Sequence, residues 1–103
     1  CDYRQLVERD DIDVVSVVAT NKMHYEVGKA VLESGKHLLL EKPMALQVDH
    51  CEELVAIAEA KNLVLAVGHE LRLSSLWGGV KQLIDDGAIG DPLHVLIEWS
   101  RVP

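Results

Sequence analysis

The stretch HLLLEKP, residues 37–43, decides how this chain folds. It begins with strand-compatible, mostly leucine residues and ends with an acid, an amine and a proline. A strand this apolar is typical of a strand covered on both faces, as in a parallel sheet. Open parallel sheets bind ligands beyond the carboxyl ends of their strands, so Glu41 and Lys42 are predicted to lie where a ligand would bind.

The segments around this stretch alternate between strand and helix. Strands are predicted at 12–19, 37–41 and 63–67, and helices at about 23–34 and 47–61. Gly35 is expected to end the first of these helices in a left-handed conformation, and Asn62 can end the second. Short connections between such elements require right-handed crossovers, so the chain is predicted to be α/β, with a Rossmann-like parallel sheet and helices on both faces.

The pattern changes after residue 74. A helix is predicted at 75–86, although Gly78 and Gly79 each cost about 1 kcal/mol of helix propensity relative to alanine, so another element is expected to pack closely there. In residues 93–99 the side chains alternate between two faces, which is typical of an antiparallel strand. We therefore assign residues 1–74 to the parallel-sheet domain, and residues 75–103 to a connecting helix and the first strand of an α+β antiparallel-sheet domain.

Composition argues against several classes of protein. Ten basic and seventeen acidic residues give a formal charge of -7, and the bases form no cluster, so no nucleic-acid partner is expected. The apolar runs are far shorter than the roughly 20 residues of a membrane span, and the start does not resemble a signal peptide, so a cytoplasmic location without membrane contact is expected. The cysteines and histidines lack metal-ligand spacing, and no metal site is predicted.

Polar residues follow each predicted strand. Thr20-Asn21 follow the first, Glu41-Lys42 end the second, and Gly68-His69 follow the third. A parallel sheet brings these ends to one edge. There the ammonium group of Lys42 could stabilise negative charge developing on an oxygen or assist proton transfer, and Glu41 could accept hydrogen bonds from a ribose or another sugar. The alternative is that Lys42 is a solvated lysine at a strand end.

Two other side chains have open assignments. His24 lies near a predicted helix start, where it could line a ligand pocket or serve as a local capping or packing histidine. Arg72 lies in the connection that leaves the third strand. Its guanidinium group could bind a phosphate or a carboxylate, or form a surface salt bridge with Glu70 or another acid.

Taken in order, these residues resemble the Gfo/Idh/MocA family, that of glucose-fructose oxidoreductase and inositol dehydrogenase. The resemblance covers nearly the whole chain. Its matching segments are residues 12–15, 19–21 with His24, 30–41, Lys42-Pro43, 58–61, 67–69 with Arg72, and 84–90. The Glu-Lys-Pro triplet alone is a weak signal, but in this order it is specific.

The resemblance implies a Rossmann domain that binds NAD or NADP, followed by an open antiparallel sheet that closes over a sugar or cyclitol. It implies that Thr20, Asn21 and His24 lie along the nicotinamide side of the cofactor. It also implies that Glu41 lies near the ribose and that Lys42 lies between cofactor and substrate. Lys42 is therefore the predicted catalytic residue, and it is predicted to contact both molecules.

Glu70 and Arg72 are the other predicted substrate contacts. Family members commonly have asparagine where Glu70 stands and an aromatic residue where Leu73 stands, so this loop departs from the family pattern and makes the pocket more acidic. The resemblance further implies that the complete protein is a homodimer or homotetramer.

Two elements of the family are absent from this sequence. Its seven glycines have no G-x-G-x-x-G spacing, and no D-x-x-x-H segment, which usually carries the principal base, occurs. We expect an internal segment, inactive alone, of an NAD(P)-dependent dehydrogenase acting on a secondary alcohol of a sugar, cyclitol or similar polyol. The alternative is a non-catalytic binding or regulatory protein on a Rossmann scaffold. If the 103 residues were the whole product, we would expect weak or no dinucleotide binding.

Overall fold

The structure, a computed structural model, describes residues 2–100. Its helices are α1 (Tyr3–Val7), α2 (His24–Glu33), α3 (Val48–Ala60) and α4 (Ser75–Asp85), its strands are β1 (Val14–Val17), β2 (His37–Glu41) and β3 (Leu65–Gly68), and two 3₁₀ turns span Asn21–Met23 and Glu70–Leu73. The predicted elements through α4 are thus present, with a shorter first strand. The described residues divide into two compact units between His69 and Glu70.

The first unit is built on a parallel sheet. Its strand order is β1-β2-β3, and the register pairs Val17 with Leu40 and Glu41 with Gly68. This confirms the predicted parallel sheet with crossover helices. The side chains that alternate with the buried ones are exposed, as at Leu39 (45%). The second layer of helices predicted for this fold is therefore not among the elements of residues 2–69.

The core of the first unit lies between one face of the sheet and the helices. Its buried apolar residues are Val15, Val17, Val27, Val31, Leu32, Leu38, Leu40, Leu54 and Ala58. Gly28 allows α2 to lie close to the sheet, because a Cβ atom at this position would be 3.1 Å from Cδ2 of Leu38 and 3.6 Å from Cδ2 of Leu54. Close packing of this kind explains why a helix interior contains a glycine despite its low helix propensity.

Helices α2 and α3 end in the same way. After α2, Gly35 has φ +82°, and the backbone N–H groups of Gly35 and Lys36 donate to the carbonyls of Leu32 and Val31. After α3, Asn62 has φ +54°, and the backbone N–H groups of Asn62 and Leu63 donate to the carbonyls of Glu59 and Ala58. These are Schellman motifs, which satisfy carbonyl groups that the helix leaves unpaired. Both helix ends predicted from the sequence are therefore confirmed.

The second unit departs from the sequence-based expectations in two respects. Residues 93–99 have no regular secondary structure, so the strand predicted there is not formed. A strand requires hydrogen bonds to a neighbour, and no described segment pairs with these residues. Cβ atoms placed on Gly78 and Gly79 would meet no atom within 4 Å, so the close packing expected at these glycines is also not found. The assignment of this unit to a substrate domain stays a prediction.

The part of the chain that the structure describes lacks two further features. None of its helices has the length and apolar character needed to cross a membrane. No group of three or more His, Cys, Asp or Glu side chains among these residues could hold a metal ion.

Candidate functional site

The carboxyl ends of the three strands form one edge of the first unit. The parallel register places Glu41, the last residue of β2, beside Gly68, the last residue of β3. Residues 18–21 leave the same edge from β1, next to Leu40. The predicted meeting of the three strand ends is therefore present. This edge, consisting of residues 18–21, 41–43 and 68–69, is called the carboxyl edge below.

The carboxylate of Glu41 lies over the end of β3. A Cβ atom at Gly68 would be only 3.2 Å from Oε1 of Glu41, and Oε2 accepts a hydrogen bond of 3.2 Å from the backbone N–H of Lys42. Gly68 therefore provides the space in which the carboxylate lies. A half-buried carboxylate in this position can accept hydrogen bonds from the hydroxyl groups of a sugar.

Lys42 is the first residue beyond β2, and its side chain is exposed. The peptide bond to Pro43 is cis. The ammonium group can donate three hydrogen bonds and carries a compact positive charge. Its position at the carboxyl edge matches the one predicted from the sequence, while its catalytic role stays a prediction.

Thr20 and Asn21 form the turn between β1 and α2. The carbonyl of Thr20 accepts a hydrogen bond of 2.8 Å from the backbone N–H of Met23, which closes the 3₁₀ turn. Both residues are exposed, and their side chains have no hydrogen-bond partner among residues 2–100. These two polar side chains are therefore available at the carboxyl edge for a ligand.

His24, the first residue of α2, is 1% exposed. Its Nδ1 atom lies 2.6 Å from the carbonyl oxygen of Pro43, and its Nε2 atom lies 3.1 Å from the carbonyl oxygen of Ala19. The ring thus connects the segments that follow β1 and β2. This buried position, with both ring nitrogens near backbone carbonyls, matches the packing histidine that the sequence left as an alternative.

The two other predicted substrate contacts, Glu70 and Arg72, belong to the second unit. Both lie in its 3₁₀ turn. Arg72 lines a surface pocket of that unit together with Leu71, Trp77, Gly78 and Lys81. It forms no ion pair with Glu70 or with any other described residue. The salt bridge considered for Arg72 is therefore not present.

Sequence reasoning missed two contributions to the carboxyl edge. One is Gly68, whose missing side chain accommodates Glu41, and the other is the pair of backbone carbonyls bound by His24. The register of two parallel strands carries the first signal, because it pairs Glu41 with a glycine. No local pattern reports the second, since Pro43 lies 19 residues after His24.

Comparison with known proteins gives consistent results. A family model described as "Oxidoreductase family, NAD-binding Rossmann fold" matches residues 1–69. The inositol 2-dehydrogenase/D-chiro-inositol 3-dehydrogenase of Lactiplantibacillus plantarum is 37% identical over 89% of this chain and 27% of its own length. The 1,5-anhydro-D-fructose reductase of Ensifer adhaerens is 36% identical over 86% of this chain and 27% of its own length. The chain therefore spans about a quarter of the length of these curated relatives.

Solved structures agree with the family match. The scyllo-inositol dehydrogenase of Lactobacillus casei, solved with bound NAD(H) and scyllo-inositol, has a TM-score of 0.80 and 32% identity over 87% of this chain and 27% of that one. The biliverdin reductase of Synechocystis, solved with biliverdin and NADP+, has a TM-score of 0.77 and 28% identity over 82% of this chain and 27% of that one. The predicted Rossmann fold and NAD or NADP cofactor are confirmed, and the chain belongs to the Gfo/Idh/MocA family of oxidoreductases.

Proposed function

We propose that the full-length protein is an NAD(P)-dependent dehydrogenase that transfers a hydride between the nicotinamide and a secondary alcohol carbon of a sugar, cyclitol or similar polyol. The carrying observation is the meeting of Glu41, Lys42 and the Thr20-Asn21 turn at the carboxyl edge of a parallel sheet, where this class of fold binds ligands. The inositol dehydrogenase and anhydrofructose reductase among the relatives support a polyhydroxylated substrate.

The residues of the carboxyl edge suit the nicotinamide half of a dinucleotide. Glu41 offers a carboxylate, held in place over Gly68, to the hydroxyl groups of a ribose. Thr20 and Asn21 offer an exposed hydroxyl and an exposed amide to the carboxamide of the nicotinamide. The nicotinamide supplies the carbon that gives or accepts the hydride. His24 does not bind this cofactor directly, because both its ring nitrogens contact backbone carbonyls.

Lys42 is the catalytic residue in this proposal. Oxidation of a secondary alcohol requires the carbinol carbon to be held in position while the hydroxyl group loses a proton. An ammonium group beside that oxygen stabilises the negative charge that develops on it and can relay the proton. The exposed position of Lys42 just beyond β2 supports this role.

Glu70 and Arg72 are the other proposed substrate-binding residues. A carboxylate accepts hydrogen bonds from hydroxyl groups, and a guanidinium group donates up to five. The pocket that Arg72 lines together with Trp77 supports this assignment.

We also propose that the full-length protein is a homodimer or homotetramer, which light scattering on the purified protein would test.

Lys42→Ala in the full-length protein tests the proposal. With a polyol that the wild type oxidises, the kcat of the variant is expected to fall by at least about 10²-fold. General acid–base assistance contributes a factor of about 10² to 10⁴ to the rate. The Kd for the dinucleotide should change little. Lys22→Ala is the matched control, since it removes one positive charge from the turn between β1 and α2 and should leave kcat nearly unchanged.

An unchanged kcat in Lys42→Ala would remove Lys42 from the mechanism. Dinucleotide binding by the wild type without turnover of any sugar or cyclitol would favour the non-catalytic binding protein instead. Absence of dinucleotide binding by the full-length protein would contradict the proposal as a whole.

A further inference from the structure

His24 connects two segments that the sheet itself does not hold together. Ala19 lies two residues beyond the end of β1, and Pro43 lies two residues beyond the end of β2. The ring is 1% exposed and lies within hydrogen-bond distance of both carbonyl oxygens. One of these segments continues into Thr20 and Asn21, and the other carries Lys42.

The contact with Pro43 is the closer of the two. Nδ1 lies 2.6 Å from the carbonyl oxygen of Pro43, which is shorter than the usual 2.9 to 3.0 Å of an N–H···O bond. Two lone pairs facing each other at this distance would be repulsive, so the tautomer with the proton on Nδ1 is the one that fits the closer contact. A neutral imidazole has only one N–H group, so the bond to Pro43 does not depend on a second bond to Ala19.

The segment bound by His24 follows directly after the last residue of β2. Lys42 and Pro43 are exposed and lie outside the hydrogen-bond ladder of β2. The bond from the Lys42 backbone N–H to Glu41 is 3.2 Å long and involves only the neighbouring residue. A buried bond from α2 to Pro43 therefore fixes the backbone directly after Lys42 relative to the rigid core.

We propose that His24 is a positioning residue for Lys42. The bond from its Nδ1 to the Pro43 carbonyl fixes the position of the Lys42 backbone relative to the Thr20-Asn21 turn. The ammonium group of Lys42 then lies where a substrate oxygen is bound. This inference rests on the function proposed above. It predicts an effect on turnover rather than on cofactor affinity, because a misplacement of about 1 Å can lower a rate by about 10²-fold.

Two amide substitutions separate the two contacts of the ring in the full-length protein. In His24→Asn the amide group replaces Nδ1 and can still donate to Pro43, whereas in His24→Gln it replaces Nε2 and can reach only Ala19. We expect His24→Asn to keep kcat within about threefold of the wild type and His24→Gln to lower kcat about tenfold or more. The Kd for the dinucleotide should change by less than about twofold in both variants, since neither touches the cofactor.

Equal losses of kcat in the two variants would overturn the inference, and so would a loss of dinucleotide affinity that parallels the loss of turnover. An inactive wild type would overturn the proposed function and this inference with it, so the two failures are distinguishable. Neutron diffraction of the full-length wild type serves if a variant does not fold. A deuteron on Nδ1 directed at the Pro43 oxygen supports the proposal, and an Nδ1 without one overturns it.

Discussion

Residues 2–69 and residues 70–100 both contain many apolar side chains, but these differ greatly in burial. Among residues 2–100, all the buried apolar residues lie between Val15 and Ala58, whereas α4 has none and Leu93 is 96% exposed. The first region contains both sides of each contact, because the strands and the helices that cover them alternate along the chain. An apolar stripe therefore becomes part of a core only where an opposing apolar surface is present.

The strands of the two regions show the same dependence on a neighbour. β2 is paired on both sides, with β1 and β3, and it forms as predicted. The segment 93–99 has equally strand-compatible residues but no pairing segment among those described, and it has no regular structure. Strand propensity therefore leads to a strand at β2, where neighbours provide hydrogen bonds, and does not at 93–99, where no described segment does.

Leu54→Ala should lower the stability of the protein more than any other change proposed below. Leu54 is 0% exposed and lies in the core, so its truncation in the 103-residue chain should lower the free energy of unfolding by about 2 to 5 kcal/mol. Leu83→Ala in α4 is the matched change. Because Leu83 is 52% exposed, its loss should cost less than about 1 kcal/mol.

Urea unfolding followed by circular dichroism measures both variants. If Leu83→Ala lowered the free energy of unfolding as much as Leu54→Ala, the difference in burial between the two regions would be contradicted. The same two variants can be measured in the full-length protein. A large loss for Leu83→Ala there would mean that the remaining chain covers the apolar stripe of α4.

Alanine at two helix glycines should have effects of opposite sign. In Gly28→Ala the new Cβ would lie 3.1 Å from a methyl group of Leu38, which is 1% exposed and has little room to move. Overpacking costs about 1 to 3 kcal/mol, against about 1 kcal/mol gained in helix propensity, so a net loss of up to about 2 kcal/mol is expected. Gly79→Ala enters open space and should stabilise α4 by about 1 kcal/mol.

Thermal unfolding of the two alanine variants distinguishes these outcomes by the direction in which Tm moves. A stabilised Gly28→Ala variant would mean that the contact between α2 and the sheet is looser than the structure shows. A destabilised Gly79→Ala variant would mean that another part of the protein packs against this face of α4.

The smallest expected effect concerns a half-buried ionic contact between α2 and α3. Lys29 donates a hydrogen bond of 2.6 Å to Oε1 of Glu53, and the hydroxyl of Tyr25 donates to Oε2. The Lys29 ammonium and then the Tyr25 hydroxyl hold the pKa of Glu53 below its usual value. A carboxylate with a lowered pKa stabilises the fold above its unfolded-state pKa and loses this contribution as the pH falls through its folded-state pKa.

The free energy of unfolding of Glu53→Gln should therefore lie below that of the wild type at pH 7, and the difference should shrink as the pH falls below about 4.3, the unfolded-state pKa of a glutamate, and through the lower folded-state pKa. Asp85→Asn is the control, since Asp85 pairs with Lys81 inside α4 and connects no second element. Urea unfolding across this pH range measures both variants. A difference for Glu53→Gln that persists in acid would contradict the ionic explanation.

Local signals predicted much of the fold correctly. Gly35 and Asn62 end their helices as expected because a left-handed residue depends on its own backbone. The strand pattern also predicted that the polar residues after β1, β2 and β3 meet at one edge of the sheet, as they do. The alternatives for His24 could not be resolved in the same way, since its two carbonyl partners come together only when β1 and β2 pair.

The sequence by itself determined the alternation of strands and helices, the helix ends, and the types of polar group that follow each strand, because these depend on neighbouring residues. Only the tertiary structure decided that Glu41 lies over Gly68, that His24 binds the segment after Lys42, and that residues 93–99 form no strand. The physical reason is the same in each case. Such contacts join groups that are distant along the chain, and their presence depends on which partner surfaces are available.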